Sequence, residues 1–461
     1  ALIVSFGLQA QKVTRFTSID AFSEEFEKLI TVSKELDGVF KDSLVPNFLA
    51  AVDYEQEDLW LDYANQLLRK RLDDAQTWEP LLRTLIYVAE NEEYDRFGTL
   101  IKHFYGFSKK NPSSRIRSYQ NQFYRNLVKH EFSEPGALVW KAPASLWALQ
   151  FIEGEPQFEL ELVDIVGLNG GDSTMVMGVN GVFYPRKGLL KAQGGTIIWS
   201  RAGQLEKEVY AELGSWTLEV NKSNFKADSV TLFASEFYDE PLQGILEERV
   251  SSVNLKDARF PKFTSYRNDY ILENLYPEVH FKGGIGVAGA QFYGTASDSA
   301  LAALKFTYKS DTVLTLKGRS FLFKDSLLSS KRVEVIAHLG ADSIYHPYCE
   351  MRYDSRVGQV RVIRFETGLG LASFTDSYHA LDMSVDQLVW IQGTPILNFK
   401  NLNLGSGQAA VFESKQYFRV QRMEEIAGLQ KNHPLRELRD AAYAYGYENI
   451  PLKDLTYSLR M

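Results

Sequence analysis

The stretch Trp216-Thr217-Leu218-Glu219-Val220 decides the class of the long middle section, because apolar and polar residues alternate in it one by one. Successive side chains of a strand point to opposite faces, so this spacing predicts a strand with one buried face. The same alternation recurs at 333–338, and similar runs continue to about Arg419. Gly, Asn, Asp and Ser separate the runs, which predicts a repetitive all-β region over residues 136–420.

The region before this section has a different period. In residues 20–132 apolar side chains such as Phe22 and Phe26 recur every three or four positions, which is typical of amphipathic helices. We expect five or six helices in a bundle or a short α-solenoid, followed by a domain boundary at the turn cluster Ser133-Glu134-Pro135-Gly136. The breaks between the predicted helices fall at 37–38, 73–74, 90–93 and 109–114.

Both ends of the chain differ from the β region. Residues 1–10 form an apolar run that ends in a small residue before Gln11, which predicts the remnant of a secretory signal peptide. An N-terminal buried strand is the competing interpretation. Helical spacing returns in residues 421–461, where Pro451 is placed to begin the last helix. We expect a small helical segment here, and a winged-helix-like module is one arrangement that fits it.

Composition and charge narrow the class of function. The 461 residues correspond to about three domains at ~150 residues each. The 24 Tyr and 29 Phe favour half-buried strands. A net charge of −8 with interleaved signs disfavours a nucleic-acid partner. No stretch after the first reaches the ~18 apolar residues of a membrane span, so we expect no transmembrane span. From the predicted signal peptide we expect an exported protein, periplasmic or associated with the outer membrane.

The run Phe225-Lys226-Ala227-Asp228-Ser229-Val230-Thr231-Leu232 combines an Ala-Asp pair with apolar alternation, and Ala341-Asp342-Ser343-Ile344 repeats part of it. The run resembles strands of OstA-like β-taco domains, found in periplasmic lipopolysaccharide-transport proteins. This resemblance covers a few short strands and implies a lipid-contacting β scaffold, with Val230 and Leu232 facing the lipid. The overall layout resembles large uncharacterised exported proteins of Gram-negative envelopes, a likeness that implies no chemistry.

One glycine pattern has the spacing of a dinucleotide-binding fingerprint. Gly284-Ile285-Gly286-Val287-Ala288-Gly289 follows a strand-like segment, but the fingerprint requires a helix at its third glycine. The following residues 290–295 have the pattern of another strand and turn. We therefore predict a glycine-rich strand bend and no cofactor.

The densest group of metal-ligand residue types lies in one stretch of alternating pattern: His338, Asp342, His346, Cys349 and Glu350. On a regular strand His346 and Cys349 point to opposite faces, and closed zinc sites show tighter paired spacings. We predict no metal site here. Cys349 is the sole cysteine, so neither an intramolecular disulfide nor a site with several thiolate ligands is available.

Catalytic groups are equally hard to assemble from the sequence. Glu159 and Glu161 share a strand face about 6.6 Å apart at the usual rise, within reach of an inverting glycosidase pair. Apolar residues occupy the other face, so both carboxylates are predicted to face water, where nothing raises one pKa to make an acid. No local motif of a serine, zinc or nucleotide enzyme is present, and no catalytic residue is predicted.

These observations favour a non-catalytic structural or binding component of the bacterial cell envelope, a β scaffold that contacts lipid, a polymer such as polysaccharide, or an envelope protein. The alternative is a secreted carbohydrate-binding protein or carbohydrate-active enzyme. In that case Trp199 and Trp390 are the candidate sugar-stacking platforms, whereas Trp216 has the spacing of a core residue. The oligomeric state has no signature in the sequence.

Overall fold

The computed structural model describes residues 13–32, 40–52, 54–91, 94–134, 136–143, 147–203, 209–235, 238–251, 259–298, 300–324, 326–365, 367–402, 410–415 and 434–446. The chain divides into two compact units. Unit 1 comprises Ala1–Leu272, Lys282–Ala300 and Leu322–Lys324. Unit 2 comprises Glu273–Phe281, Leu301–Phe321 and Asp325–Met461. The helical region and the first strands therefore belong to the same compact unit, on both sides of the period change at 133–136.

The predicted helical region is confirmed. Three of the predicted breaks separate consecutive helices, and the fourth, at 37–38, lies outside the described residues. Among the described residues no helix is both long and apolar enough to cross a membrane. The helices are α1 (Ile19–Val32), α2 (Val45–Ala51), α3 (Glu57–Arg69), α4 (Ala75–Asn91), α5 (Tyr94–Lys110), α6 (Ser113–Leu127) and, near the end of the chain, α7 (Pro434–Tyr445).

Aromatic side chains form the core of the helices in unit 1. Trp60 and Trp78 are fully buried with their rings 6.1 Å apart, and Phe22 and Phe26 pack against them from α1. The predicted apolar stripes are thus the buried faces. At the start of α4 the Asp74 carboxylate accepts a 3.0 Å hydrogen bond from the Thr77 backbone N–H, which satisfies a donor that the helix leaves unpaired.

The middle section is a set of antiparallel strands, as the alternation predicts. Trp216 and Leu218 are buried while Thr217 and Glu219 are exposed, and Val333, Val335 and Ala337 are likewise buried. The first twelve strands are β1 (Leu138–Lys141), β2 (Trp147–Ile152), β3 (Glu155–Asn169), β4 (Asp172–Tyr184), β5 (Leu189–Gln193), β6 (Thr196–Ile198), β7 (Val209–Glu212), β8 (Ser215–Glu219), β9 (Asn224–Ala234), β10 (Tyr238–Arg249), β11 (Lys262–Ser265) and β12 (Tyr270–Tyr276). The others are β13 (Val279–Ala288), β14 (Gln291–Thr295), β15 (Ala302–Tyr308), β16 (Asp311–Gly318), β17 (Ser320–Lys324), β18 (Leu327–Leu339), β19 (Asp342–Asp354), β20 (Gln359–Arg364), β21 (Phe374–Asp376), β22 (Leu381–Ser384), β23 (Gln387–Ile391), β24 (Leu397–Lys400) and β25 (Val411–Ser414).

One long hairpin occurs once in each unit. In unit 1 the hairpin of β3 and β4 pairs Ile165 with Val176 and Val163 with Val179, so that between these pairs one residue on β3 opposes two on β4. In unit 2 the hairpin of β18 and β19 pairs Val335 with His346 and Val333 with Cys349, which is the same bulge in the same register. A bulge adds one residue and changes which side chains point inward. The long hairpin, with its bulge, is therefore duplicated.

The strands that flank the two hairpins repeat the same order. In unit 1, β5 pairs with β4 and β8, while β6 pairs with β4 and β7. In unit 2, β20 pairs with β19 and β23, while β21 pairs with β19 and β22. The long strand β9 pairs with both β8 and β7, and two short strands take the corresponding places in unit 2, β24 beside β23 and β25 beside β22.

The repeat is real, but the sequence echo pointed to the wrong positions. Ala227 to Val230 lie inside β9, where the pairing with β10 has a bulge, and do not begin a strand. Ala341 lies in the turn before β19. The residues that correspond to Asp342 and Ser343 are Asp172 and Ser173, which begin β4 after the equivalent turn.

The glycine pattern at 284–289 lies in a strand and the turn after it, as predicted. Gly286 of β13 pairs with Tyr293 of β14, and a Cβ on Gly286 would lie 2.5 Å from that ring. Gly284 lies under the Asn268 side chain in the same way, and Gly289 has a φ of +55° in the turn. These glycines give room to side chains of a sheet, and no helix follows them.

Several predicted features lie outside the described residues. They are the signal-peptide remnant at 1–10 and, within the segment 421–461, every residue except the helix α7 and Gly446. Pro434 begins α7, a position where its missing N–H costs no helical hydrogen bond.

Candidate functional site

A cleft with cationic walls lies in unit 1 between α5, α6 and the turn that follows β4. Its volume is about 790 Å³, within the range of small-molecule sites. Each helix contributes residues spaced three or four apart, so that one face of each helix lines the cleft. The lining residues are Lys102, His103, Gly106, Phe107, Lys110 and Asn111 of α5 and the loop after it, Arg115, Ser118, Tyr119 and Gln122 of α6, and Pro185 and Arg186 of the turn.

Positive charge dominates this lining. Lys102, Lys110 and Arg115 are exposed and have no ion-pair partner within the part of the chain that the structure describes. Arg186 forms an ion pair with Glu155, at the start of β3. Four cations therefore meet one carboxylate in a protein whose net charge is −8. An anion that enters the cleft gains from this local excess.

Hydrogen bonds and ring contacts hold the two sides of the cleft in place. The Gln122 side-chain amide donates a 2.7 Å hydrogen bond to the Pro185 carbonyl, which fixes the turn that carries Arg186. The rings of Phe107 and Tyr119 stack at 4.2 Å between centroids and form an aromatic wall. The cleft is thus largely preformed.

A histidine and a tyrosine meet at the same wall. His103 Nε2 lies 2.8 Å from the Tyr119 hydroxyl. Burial lowers the pKa of His103 and raises the pKa of Tyr119, because both charged forms lose hydration there. Both groups are therefore uncharged at neutral pH, and the positive charge of the cleft comes from its lysines and arginines.

Comparison with known proteins adds no function to this geometry. No family profile, curated protein or solved structure matches the chain.

The tryptophans predicted as sugar platforms are core residues in the structure. Trp199 and Trp390 each have 0% of their surface exposed, and the Trp390 indole N–H donates to the Thr394 carbonyl at 2.9 Å. Trp216 is also buried, as its spacing indicates. Stacking on a sugar requires an exposed ring face, so either indole would bind one only if its surrounding packing opened.

The structure brings His346 and Cys349 together, contrary to the expectation of opposite faces. Cys349 Sγ lies 3.1 Å from His346 Nδ1, and both residues are buried. The β-bulge in β19 lies between them and changes the alternation, so that positions 346 and 349 both point inward. Burial raises the pKa of the Cys349 thiol to about 12 and lowers the pKa of His346. The pair is therefore neutral and is not an activated nucleophile.

The other members of the predicted ligand group have separate partners. His338 contacts the Thr315 hydroxyl at 2.9 Å, the Asp342 carboxylate accepts from Ser377, and Glu350 pairs with Arg352. Within the described ranges no three His, Cys, Asp or Glu side chains are grouped as metal ligands would be. Glu159 and Glu161 are exposed, as predicted.

Sequence patterns did not reveal a buried ionic cluster in unit 1. Arg201 Nη1 lies 2.8 Å from Glu248 Oε1, and Arg201 Nε lies 3.5 Å from Asp172 Oδ1. The guanidinium also donates to the Arg249 carbonyl at 2.9 Å, and Asp172 accepts from the Ser251 N–H at 2.7 Å. Two carboxylates thus share one cation. Because the three residues are far apart in the sequence, only the fold brings them together.

Proposed function

We propose that the protein is a non-catalytic structural or binding component of the bacterial cell envelope, in which a duplicated β scaffold carries a cationic binding cleft. The observation that carries the proposal is the cleft itself. The exposed side chains of Lys102, Lys110 and Arg115 line a preformed concavity there together with Arg186. Such a surface suits binding of an anionic envelope polymer or lipid headgroup.

The chemistry of the buried groups supports binding rather than turnover. The thiol of Cys349 keeps its proton, and the neighbouring His346 ring is held neutral by burial. In the cleft, the His103 and Tyr119 pair is likewise uncharged, and it has no carboxylate hydrogen-bonded to orient it among the described residues. A general base or nucleophile needs an activating partner of that kind.

The interior of the β region supports a scaffold. Val230 and Leu232, the positions expected to face lipid in a β-taco conduit, have no exposed surface. They pack against protein, and a lipid chain would have to displace those neighbours. We therefore place ligand contact at the surface cleft.

Fractionation of the producing cells tests the compartment. We expect the native protein in the envelope fractions, and accessible to protease in spheroplasts whose cytoplasmic marker stays intact. Recovery of the protein with the cytoplasmic marker alone would contradict an envelope role.

Site-specific photo-crosslinking tests the scaffold against the conduit. A photoreactive residue in place of Val230 or Leu232 should give no lipid adduct, with exposed Tyr266 as the control position. Lipid adducts at the two buried positions, and none at Tyr266, would require an interior that opens to lipid.

A further inference from the structure

We propose that the cationic cleft of unit 1 is a binding site for a phosphate ester, with the phosphate held by Lys102, Lys110, Arg115 and Arg186. The proposal rests on the binding role proposed above and gives that role a ligand class. Four elements of the geometry carry it, namely the unpaired charges, the position of Arg115, the empty space at Gly106 and the aromatic wall.

The positive charges of the cleft repel one another, and a bound anion would offset this repulsion. Lys102 and Lys110 project from the same face of α5, two helical turns apart, without a carboxylate between them. Arg115 lies in the first turn of α6, where the positive end of the helix dipole disfavours a cation. The chain as a whole is acidic, with a net charge of −8, so the cleft is locally opposite in charge to the chain. A bound anion stabilises all of these positive charges together.

Gly106 keeps the floor of the cleft open. It lies within α5 between the two lysines, and a Cβ built on it would meet no atom within 4 Å. Helix packing therefore does not require a glycine here, although glycine is the least favourable helix residue after proline. Its missing side chain leaves space directly beside Lys102 and Lys110, where a ligand can approach the backbone of α5 closely.

The charge excess selects phosphate over a single carboxylate. A phosphate monoester carries close to two negative charges and three acceptor oxygens, and arginine binds it through paired N–H donors. A lone carboxylate would leave most of the cations unpaired. The wall formed by Phe107 and Tyr119 offers an apolar surface to the group esterified to the phosphate. The volume of about 790 Å³ has room for a phosphate and the group esterified to it.

Calorimetric titration of the full chain with inorganic pyrophosphate tests the site. We expect binding that weakens as salt concentration rises, and that falls at least about tenfold in the triple variant Lys102→Gln, Lys110→Gln and Arg115→Gln. The matched control replaces three other lysines by glutamine: Lys109, Lys129 and Lys187. These lysines are exposed, lie over tyrosine rings and do not line the cleft. This control changes the net charge by the same amount and should bind like the wild type.

Gly106→Gln separates occupation of the cleft from loss of charge or of fold. The new side chain fills the space beside the lysines, so pyrophosphate binding should fall by at least about tenfold. The melting temperature should be unchanged or higher, because glutamine favours the helix and no neighbour is displaced.

Two outcomes overturn the proposal: no pyrophosphate binding by the wild type, or equal losses in the cleft variant and in the matched control.

The source of the ester is decided by measuring binding to vesicles of phosphatidylcholine with and without phosphatidic acid. Binding to phosphatidic acid that the cleft variant loses indicates a lipid headgroup, and binding to pyrophosphate alone indicates a soluble or polymer-borne ester. A cytoplasmic location would refute the envelope role and leave this titration unaffected, so the two failures are distinguishable.

Discussion

His346 uses both of its ring nitrogens for contacts within unit 2. Nε2 lies 2.8 Å from the Ala372 carbonyl, which can only accept, so Nε2 carries the proton. Nδ1 is then an acceptor, and it receives the Tyr348 backbone N–H at 3.1 Å. The Cys349 thiol lies at the same distance from the same nitrogen. This histidine accepts a hydrogen bond from the backbone of the bulge and donates one to the Ala372 carbonyl, and it does not act as a base toward the thiol.

The protonation of Cys349 leads to a direct prediction. Because burial raises the thiol pKa to about 12, almost no thiolate exists at pH 8. We expect a thiol reagent such as iodoacetamide to leave the native protein unmodified and to label it fully in urea. Labelling of the native protein faster than it unfolds would contradict this. His346→Val should not accelerate labelling beyond its effect on stability.

Glu248 predicts a pH dependence of stability. Burial raises its pKa from 4.5 to about 7 in spite of the attraction of Arg201, and the nearby Asp172 carboxylate adds a smaller rise. Uptake of one proton makes the trio electrically neutral. The folded state therefore binds this proton more tightly than the unfolded state, and the stabilisation is complete below pH 4.5 and lost as the pH rises through 7.

Glu248→Gln should abolish this component. Urea midpoints of the wild type and the variant should be compared at intervals from pH 5 to pH 8.5, because buried histidines contribute to both curves with the opposite slope. The free energy of unfolding derived from these midpoints should differ between wild type and variant by an amount that changes by ~2.5 kcal/mol from pH 5 to pH 8.5, with the variant gaining relative to the wild type at high pH. Parallel curves would show that Glu248 keeps an ordinary pKa.

Among the elements, the bulge of the duplicated hairpin explains why the sequence predicted that His346 and Cys349 point to opposite faces of the strand. Strand alternation is regular only until a residue is inserted, and nothing in the residues 346–349 except Pro347 signals the insertion. Unit 1 supplies the comparison. The positions that correspond to His346 and Cys349 are Val176 and Val179. Two valines thus fill the same places, which supports a packing role for the histidine and the cysteine.

At matched positions of the two bulges a backbone N–H donates to different acceptors, and this difference can be tested. In unit 1 the Gly178 N–H donates to Asp164 Oδ1 at 3.0 Å, whereas in unit 2 the equivalent Tyr348 N–H donates to His346. His346→Val should cost ~1–3 kcal/mol, because this half-buried donor loses its acceptor. Glu334 occupies the position that corresponds to Asp164.

Adding Glu334→Asp should therefore restore part of the loss, by placing the acceptor of unit 1 in unit 2. Glu334→Asp alone serves as the control and should change stability by less than about 0.5 kcal/mol. If the double variant is no more stable in urea than His346→Val, the acceptor exchange is not what holds the bulge.

The helices of the cleft could be predicted from the sequence, whereas the cleft could not. Apolar spacing located α5 and α6, and the interval of four between Lys102, Gly106 and Lys110 is visible in the sequence. An exposed helix face normally carries lysines, so this spacing has no functional meaning by itself. The third side of the cleft, with Arg186 and Glu155, comes from two later hairpins, and only the tertiary fold brings it to the helices.

At the scale of the whole molecule, period alone separated the helical from the β region, but it did not show the duplication. The two long hairpins share register and burial pattern but only a few identical residues around the turn, such as Asp172 with Asp342 and Ser173 with Ser343. Elsewhere Gly167 corresponds to Ala337 and Val176 to His346. Selection for a buried position fixes size and polarity loosely, and a bulge fixes no residue type. A search for repeated letters therefore found Ala227 and Ala341, which occupy unlike positions.

The division into two compact units makes a prediction about how stability losses combine. Gly167 lies under the buried Trp140 ring, and a Cβ on it would lie 2.7 Å from one ring atom and 2.8 Å from another. Gly167→Ala should therefore cost ~1–3 kcal/mol through overpacking in unit 1. The reverse change at the matched position, Ala337→Gly, creates no clash and should cost only ~0.5–1 kcal/mol.

The contacts of His346 lie in unit 2 and include none of those of Gly167. The double variant Gly167→Ala with His346→Val should then lose the sum of the single losses within about 0.5 kcal/mol, as measured by calorimetric or urea unfolding. If the loss in the double variant differs from the sum of the single losses by more than about 1 kcal/mol, the two sites are energetically linked and the units are not independent in stability.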